Sequence, residues 1–211
     1  MIECTPGSAM PICQRSLASL LAGNYWHVDQ ALRFDPDYIA ALPQLHGAHP
    51  LRPYFRDSRG HLRRIGWFVT MTDLDSDLAG PTQVDHMYHD SDTRIIDRSL
   101  IYLLDGESSI YRPLEDSPMR MYPLAALHSD PLDDSEPISL CWHFGYGNDC
   151  VCFDTSTDPI SVVVCEFERA MAAYVEYDSA PENKYDYSFL IPVAASFADF
   201  ARMLTVTPTG N

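Results

Sequence analysis

Three short apolar segments, separated by tight turns, are the feature of this chain that most restricts its fold. They cover residues 138–144, 150–154 and 160–167, and glycine, asparagine, aspartate and proline mark the turns between them. Apolar runs of this length between such turns are typical of strands joined as hairpins. The sequence therefore predicts a three-stranded antiparallel meander and, with it, a sheet at the centre of the fold.

Helical patterns precede and follow these segments. Apolar residues at helical spacing predict helices over 11–22, 93–104, 167–177 and 197–204. Another helix is expected to begin at Pro36 and to end at His46-Gly47, with Pro43 breaking or kinking its last turn. Asp35 and Ser196 are the expected N-caps of the second and last helices.

The intervening segments complete the predicted fold. Residues 65–71 read as a strand and residues 48–64 as an arginine-rich loop. At 211 residues the chain has room for one well-packed domain, so a single α+β domain is expected. If Phe197 and Phe200 dock the last helix on the core, Phe200→Ala costs roughly 3–5 kcal/mol, and a loss below about 1 kcal/mol contradicts the docking.

The charge of the chain is strongly negative and uneven. The net charge is −16: residues 1–65 balance at +2, and residues 66–211 balance at −18. Such a surface repels nucleic acid and anionic membranes and attracts a basic partner. A plainer interpretation, which stays open, is that the acidic residues only keep the protein in solution.

Targeting signals are not apparent. The first residues lack a basic start followed by an apolar stretch, and no apolar run approaches the roughly 18 residues needed to cross a bilayer. We therefore expect a cytoplasmic protein that does not enter membranes. In that compartment the six cysteines are expected to stay reduced and to pack as small apolar side chains.

No common catalytic or phosphate-binding motif occurs in the chain, so we expect neither an enzyme nor a cofactor. Asp85, His86, His89 and Asp90 could hold a divalent ion, but their polar surroundings favour a surface loop. Cys150 and Cys152 share one face of a strand, yet two sulfurs do not complete a zinc site. No stoichiometric metal is therefore expected.

A nucleophilic pair of Cys141 and His143 stays open as an alternative. The candidate partner-binding residues instead lie in two acidic loops, because loops carry function more often than scaffolds do. These residues are Asp73, Asp75, Asp77, Asp85, Asp90 and Asp92 in the first loop, and Asp130, Asp133, Asp134 and Glu136 in the second.

Several stretches resemble the SUKH superfamily, which includes the yeast Smi–Knr cell-wall regulators and many bacterial immunity proteins. Asp35-Pro36-Asp37-Tyr38-Ile39 is similar to the start of the family's early helix. The stretches 122–126, 140–142 and 151–154 look like its "Pro-apolar-Ala … Gly … apolar-Asp" core. Residues 193–200, Val-Ala-Ala-Ser-Phe-Ala-Asp-Phe, resemble its closing helix.

The resemblance implies a mostly antiparallel sheet of about six strands packed by several helices, and a binding role without catalytic residues. It divides the chain into an N-terminal helical segment (1–29), a SUKH-like domain (30–204) and a frayed tail (205–211). The expected function is that of an immunity protein, which binds and neutralises a basic toxin domain. The alternatives are a Smi–Knr-type regulatory scaffold and a metal-dependent enzyme using His86 and His89.

Overall fold

The structure is a computed structural model. It describes residues 1–12, 14–22, 33–70, 120–133, 135, 138, 148–180 and 184–209. Within these residues the helices are α1 (Gln14–Leu21), α2 (Pro36–Leu45), α3 (Phe167–Ser179) and α4 (Phe197–Met203). The strands are β1 (Tyr54–Arg56), β2 (Leu62–Phe68), β3 (Met121–Leu127), β4 (Cys150–Asp154), β5 (Ser161–Cys165) and β6 (Leu190–Ala194).

The six strands form one sheet in which each strand pairs with its neighbours in the chain. Every pairing is antiparallel, and the spatial order is β1-β2-β3-β4-β5-β6. The sheet curls so that its two edge strands, β1 and β6, approach each other. This is seen in the Ser58 N–H, just after β1, which donates a hydrogen bond to the Pro192 carbonyl oxygen of β6 at 3.1 Å. The prediction of a six-stranded, mostly antiparallel α+β fold is confirmed.

One face of the sheet packs on α2 and α4 through aromatic rings. The Phe153 ring of β4 lies 5.0 Å from the ring of Tyr38 on α2 and 6.2 Å from that of Phe197 on α4, measured between centroids. Phe200 of α4 is also fully buried and contacts Phe55 of β1. These contacts confirm the predicted docking of the last helix.

Capping residues fix where the helices of this face begin. The Asp35 carboxylate accepts the Asp37 and Tyr38 N–H groups at the start of α2, and the Ser196 hydroxyl accepts the Asp199 N–H at the start of α4. Both caps satisfy donors that a helix start leaves unpaired. The predicted starts of these helices are therefore confirmed.

Two details of the predicted fold are wrong. Met121–Leu127, for which no strand was predicted, pairs with β4 on the side that the predicted meander gave to residues 138–144, and all of those except Ile138 lie outside the described residues. The predicted loop 48–64 contains β1 and the start of β2. Of the two effects predicted for Pro43, a break of α2 does not occur, because the helix continues through Pro43 to Leu45.

The predicted helix over 93–104 lies outside the described residues. In the part of the chain that is described, no helix combines the length and the apolar character needed to span a bilayer.

Candidate functional site

The predicted acidic surface is only partly described by the structure. The first loop lies outside the described residues, as do Asp134 and Glu136 of the second: the residues concerned are Asp73, Asp75, Asp77, Asp85, Asp90, Asp92, Asp134 and Glu136. The histidines of the proposed metal site, His86 and His89, and the pair Cys141 and His143 also lie outside them. Asp130 and Asp133 are described, and both are exposed.

Asp130 and Asp133 belong to a turn that follows β3, which we call the acidic turn (129–133). The Asp130 carboxylate accepts the Leu132 N–H, and the Asp133 carboxylate accepts the Ser135 N–H, each at 2.8 Å. Ser129 also accepts a hydrogen bond from the Asn148 side chain at 2.7 Å, which ties the turn to the residues before β4. These hydrogen bonds from backbone N–H groups hold the two carboxylates in place.

The acidic turn also presents an apolar side chain to solvent. Leu132, between the two aspartates, is 70% exposed. The hydrogen bonds from Ser135 lower the pKa of Asp133, so its carboxylate stays charged at neutral pH. The turn therefore combines fixed negative charge with one exposed apolar anchor.

A second polar group, the Arg63 cluster, joins the β1–β2 hairpin to β4 and α3. It comprises Asp57, Arg59, Arg63, Asp149, Glu166 and Arg169. The Arg63 guanidinium reaches Asp57 at 3.0 Å, Asp149 at 2.8 Å and Glu166 at 3.5 Å.

Backbone donors complete the hydrogen bonding of this cluster. The fully buried Asp57 carboxylate also accepts the Arg59 and His61 N–H groups. Asp149 accepts the Phe167 N–H at the start of α3. Burial raises the pKa of Asp149, and the hydrogen bonds from Phe167 and Arg63 only partly offset this. The density of internal bonds indicates a structural role.

A third group, the thiol cluster, consists of Cys150, Cys152 and Cys165. Cys150 and Cys152 lie on the same face of β4, and the register places Cys165 of β5 directly opposite Cys150. The three sulfurs lie within 4.8 Å of one another, and those of Cys150 and Cys152 are 3.4 Å apart. All three residues are at most 1% exposed. The sheet therefore gathers three sulfur donors at one buried point.

The electrostatics of the thiol cluster argue against a nucleophile. Burial raises the pKa of Cys152, and hydrogen bonding to Cys150 and Cys165 raises it further. The pKa of Cys165 is raised as well, chiefly by its hydrogen bond to Cys150. Nucleophilic cysteines need a lowered pKa and access to substrate, because the thiolate is the reactive form. In the thiol form these three cysteines are unreactive unless a metal ion or an oxidant reaches them.

The hydroxyl of Tyr185 is a buried polar group that stays unsatisfied among the described residues. Its buried phenolic oxygen has no hydrogen-bond partner within the described part of the chain. Burial raises the pKa of Tyr185 most, and the next contribution comes from Cys165. Ring contacts with Tyr177, Tyr187 and Phe189 hold the phenol in place. An unpaired buried hydroxyl of this kind costs free energy of folding.

The sequence alone yields only two members of the thiol cluster. The missing one, Cys165, follows from the hairpin register: Asp154 pairs with Ser161, and counting outward from that pair brings Cys150 opposite Cys165. Once the turn length is fixed, the third sulfur can therefore be predicted.

Comparison with known proteins does not assign this chain to a family. No family model matches the chain, and no curated protein or solved structure is significantly similar to it. The resemblance to the SUKH superfamily therefore stays a prediction, and the function has to be argued from the described residues.

Proposed function

We propose that this protein binds a basic protein partner through its acidic face, and that the partner is a toxin domain which it neutralises in the cytoplasm. The observation that carries the proposal is the acidic turn, where Asp130 and Asp133 flank the exposed side chain of Leu132. The role as an immunity protein rests in addition on the resemblance of the early and closing helices to the SUKH superfamily.

The distribution of positive charge supports an acidic binding face. Seven described arginines pair with carboxylates of the chain itself: Arg33, Arg52, Arg59, Arg63, Arg120, Arg169 and Arg202. These contacts neutralise much of the positive charge internally, while the net charge of the chain remains −16. A long-range negative potential of this kind accelerates encounter with a basic surface.

Charge and apolar contact are expected to act on different rates. Exposed ion pairs contribute little affinity, about 0–1 kcal/mol each, but complementary charge raises association rates by roughly 10- to 1,000-fold at low salt. The dissociation rate depends instead on buried anchors at the centre of an interface. Leu132 is the anchor that the acidic turn offers.

The direct test starts with the product of the neighbouring gene, expressed as a tagged protein. We expect it to be basic, to bind this chain, and to lose its toxicity when the two are co-expressed. Asp130→Lys with Asp133→Lys should lower the association rate at low salt by at least about tenfold, and Leu132→Ala should mainly raise the dissociation rate.

Matched controls separate a specific site from general charge. Glu176→Lys with Asp178→Lys makes the same change in charge at exposed positions of α3, and Val206→Ala truncates another exposed apolar side chain. The charge control should slow association far less than the acidic-turn variant, and both controls should keep the dissociation rate of the wild-type protein. If the acidic-turn variants bind with unchanged kinetics at low salt, or both charge variants slow association equally, the acidic turn is not the binding site.

The same assay separates the immunity role from a regulatory scaffold of the Smi–Knr type. A scaffold would bind a partner without abolishing its toxicity. Binding to the neighbouring product without protection of the co-expressing cell would therefore contradict the neutralising role.

A further inference from the structure

Three thiols at a single buried point form a donor set that the proposed binding role does not use. Cys150, Cys152 and Cys165 come from two paired strands, so their positions are fixed by the hydrogen-bond register of the sheet. Each is buried in the core rather than exposed on a loop. Rigid secondary structure of this kind holds metal ligands more precisely than loops do.

The spacing of the sulfurs suits one metal ion. A metal at about 2.3 Å from each of three sulfurs requires sulfur–sulfur distances of about 3.8 Å in a tetrahedral site and about 4.0 Å in a trigonal one. The sulfurs of Cys150 and Cys152 are 3.4 Å apart, and none of the three distances exceeds 4.8 Å. Small rotations of the side chains are therefore enough to close the cluster around an ion.

The number of donors helps to select the ion. Thiolates favour soft ions such as Cu(I) and zinc, but structural zinc sites almost always have four ligands. Among the described residues, no histidine or carboxylate joins the three sulfurs. Asp149, next to Cys150 in the chain, is engaged by Arg63 and by the Phe167 N–H. Cu(I) and Zn²⁺ are both closed-shell ions, but three thiolates can complete the lower coordination number of Cu(I), whereas they leave a structural zinc site one ligand short.

We propose that Cys150, Cys152 and Cys165 form a buried, all-sulfur site for a single Cu(I) ion. Binding involves no change of oxidation state: copper stays in the +1 state, and each thiol that binds as a thiolate releases one proton to solvent. The site is separate from the acidic turn and is independent of the proposed partner.

The test uses the full chain, refolded from denaturant under anaerobic, reducing conditions so that the buried site is accessible. Cu(I) is supplied as a complex with a chromophoric chelator, and competition gives both stoichiometry and affinity. One copper per chain is expected. The variant Cys4→Ala/Cys13→Ala/Cys141→Ala, which keeps only the thiol cluster, should bind with the affinity of the wild-type protein.

Removal of single ligands identifies the site. Cys152→Ala and Cys165→Ala should each weaken binding at least about 100-fold, the upper end of what loss of an outer-shell partner costs. Circular dichroism of the apo proteins verifies that each variant folds, and because the two ligands are removed separately, one folded variant is enough for the test.

Three outcomes would overturn the proposal. The wild-type protein could bind no Cu(I). The cysteine variants could fold and bind as tightly as the wild-type protein, which would place the copper elsewhere. Zinc, added in a parallel titration, could occupy the three cysteines while Cu(I) does not, which would refute the choice of ion.

Discussion

The Arg63 cluster and the thiol cluster lie next to each other at the start of β4, yet their polar groups are satisfied in different ways. In the Arg63 cluster, each carboxylate accepts bonds from guanidinium groups, and Asp57 and Asp149 also accept backbone N–H groups. The thiol cluster instead holds three weakly bonding sulfurs within 4.8 Å of one another.

This difference separates a scaffold from a ligand site. A buried charge network with complete hydrogen bonding holds elements together, here the β1–β2 hairpin, β4 and the start of α3, and offers little capacity for a ligand. Thiols are weak hydrogen-bonding groups, so a metal ion can replace the contacts that they make with one another. The Arg63 cluster should therefore dominate stability, while the thiol cluster should respond to added metal.

The largest expected effect is that of Arg63→Met. This change leaves the fully buried Asp57 carboxylate and the half-buried Asp149 without their cation, so we expect a loss of about 3–5 kcal/mol in the free energy of unfolding. Urea denaturation measures it. The control is Arg202→Met, which breaks an exposed ion pair with Asp199 and should cost no more than about 1 kcal/mol. Equal losses would show that the Arg63 cluster is not the scaffold.

A smaller effect is expected at the thiol cluster of the apo protein. Cys152→Ala removes one buried sulfur and leaves a small cavity, with a cost of about 1 kcal/mol by analogy with other small core truncations. The same urea experiment measures the loss. A cost that matches Arg63→Met would mean that the thiols also hold the fold together.

The fold was predictable where local chemistry decides the outcome. The caps Asp35 and Ser196 and the hairpin of β4 and β5 rest on short-range signals, and these elements are confirmed. Strand β3 was missed because all seven of its residues are buried, so no alternation of polar and apolar residues marks it. Pro123 also argues against an inner strand, and the sheet accommodates it with an irregular register between Pro123 and Ala125.

The candidate sites show the same limit. An acidic turn can be seen in the sequence, because its aspartates and Leu132 are neighbours in the chain. The thiol cluster requires the strand register, since Cys165 joins Cys150 and Cys152 only through the pairing of β4 with β5. The Arg63 cluster depends on contacts between residues as distant as Arg63 and Asp149, which no local pattern reveals.

A fall in pH should remove the stability that comes from the contacts of the Asp154 carboxylate. Burial alone would raise the pKa of Asp154, but the hydrogen bonds from Arg120 and Ser156 outweigh it and hold the pKa below its usual value. The stability from these contacts is present above the unfolded pKa of about 3.9 and is lost as the pH falls through the folded pKa. Asp154→Asn should therefore flatten the fall in stability below about pH 4, as measured by urea denaturation across pH. If the stability of Asp154→Asn falls below about pH 4 as steeply as that of the wild-type protein, Asp154 is not the source of this acid sensitivity.

The smallest expected effect is that of Tyr185→Phe in the apo protein. Removal of a buried hydroxyl that has no hydrogen-bond partner among the described residues relieves a desolvation cost. Stability should stay the same or rise by up to about 1 kcal/mol. A loss greater than about 1 kcal/mol would show that the hydroxyl is hydrogen-bonded in the apo protein.

The most direct test of the contrast between the two clusters is urea denaturation with and without chelator-buffered Cu(I). At a free Cu(I) concentration about 100 times the dissociation constant, linkage predicts a gain of about 2.7 kcal/mol in the wild-type protein. Arg63→Met should gain about the same amount from its lower starting point, and Cys152→Ala should gain almost none. No gain in the wild-type protein, or an equal gain in Cys152→Ala, would contradict the assignment of the thiol cluster as the metal site.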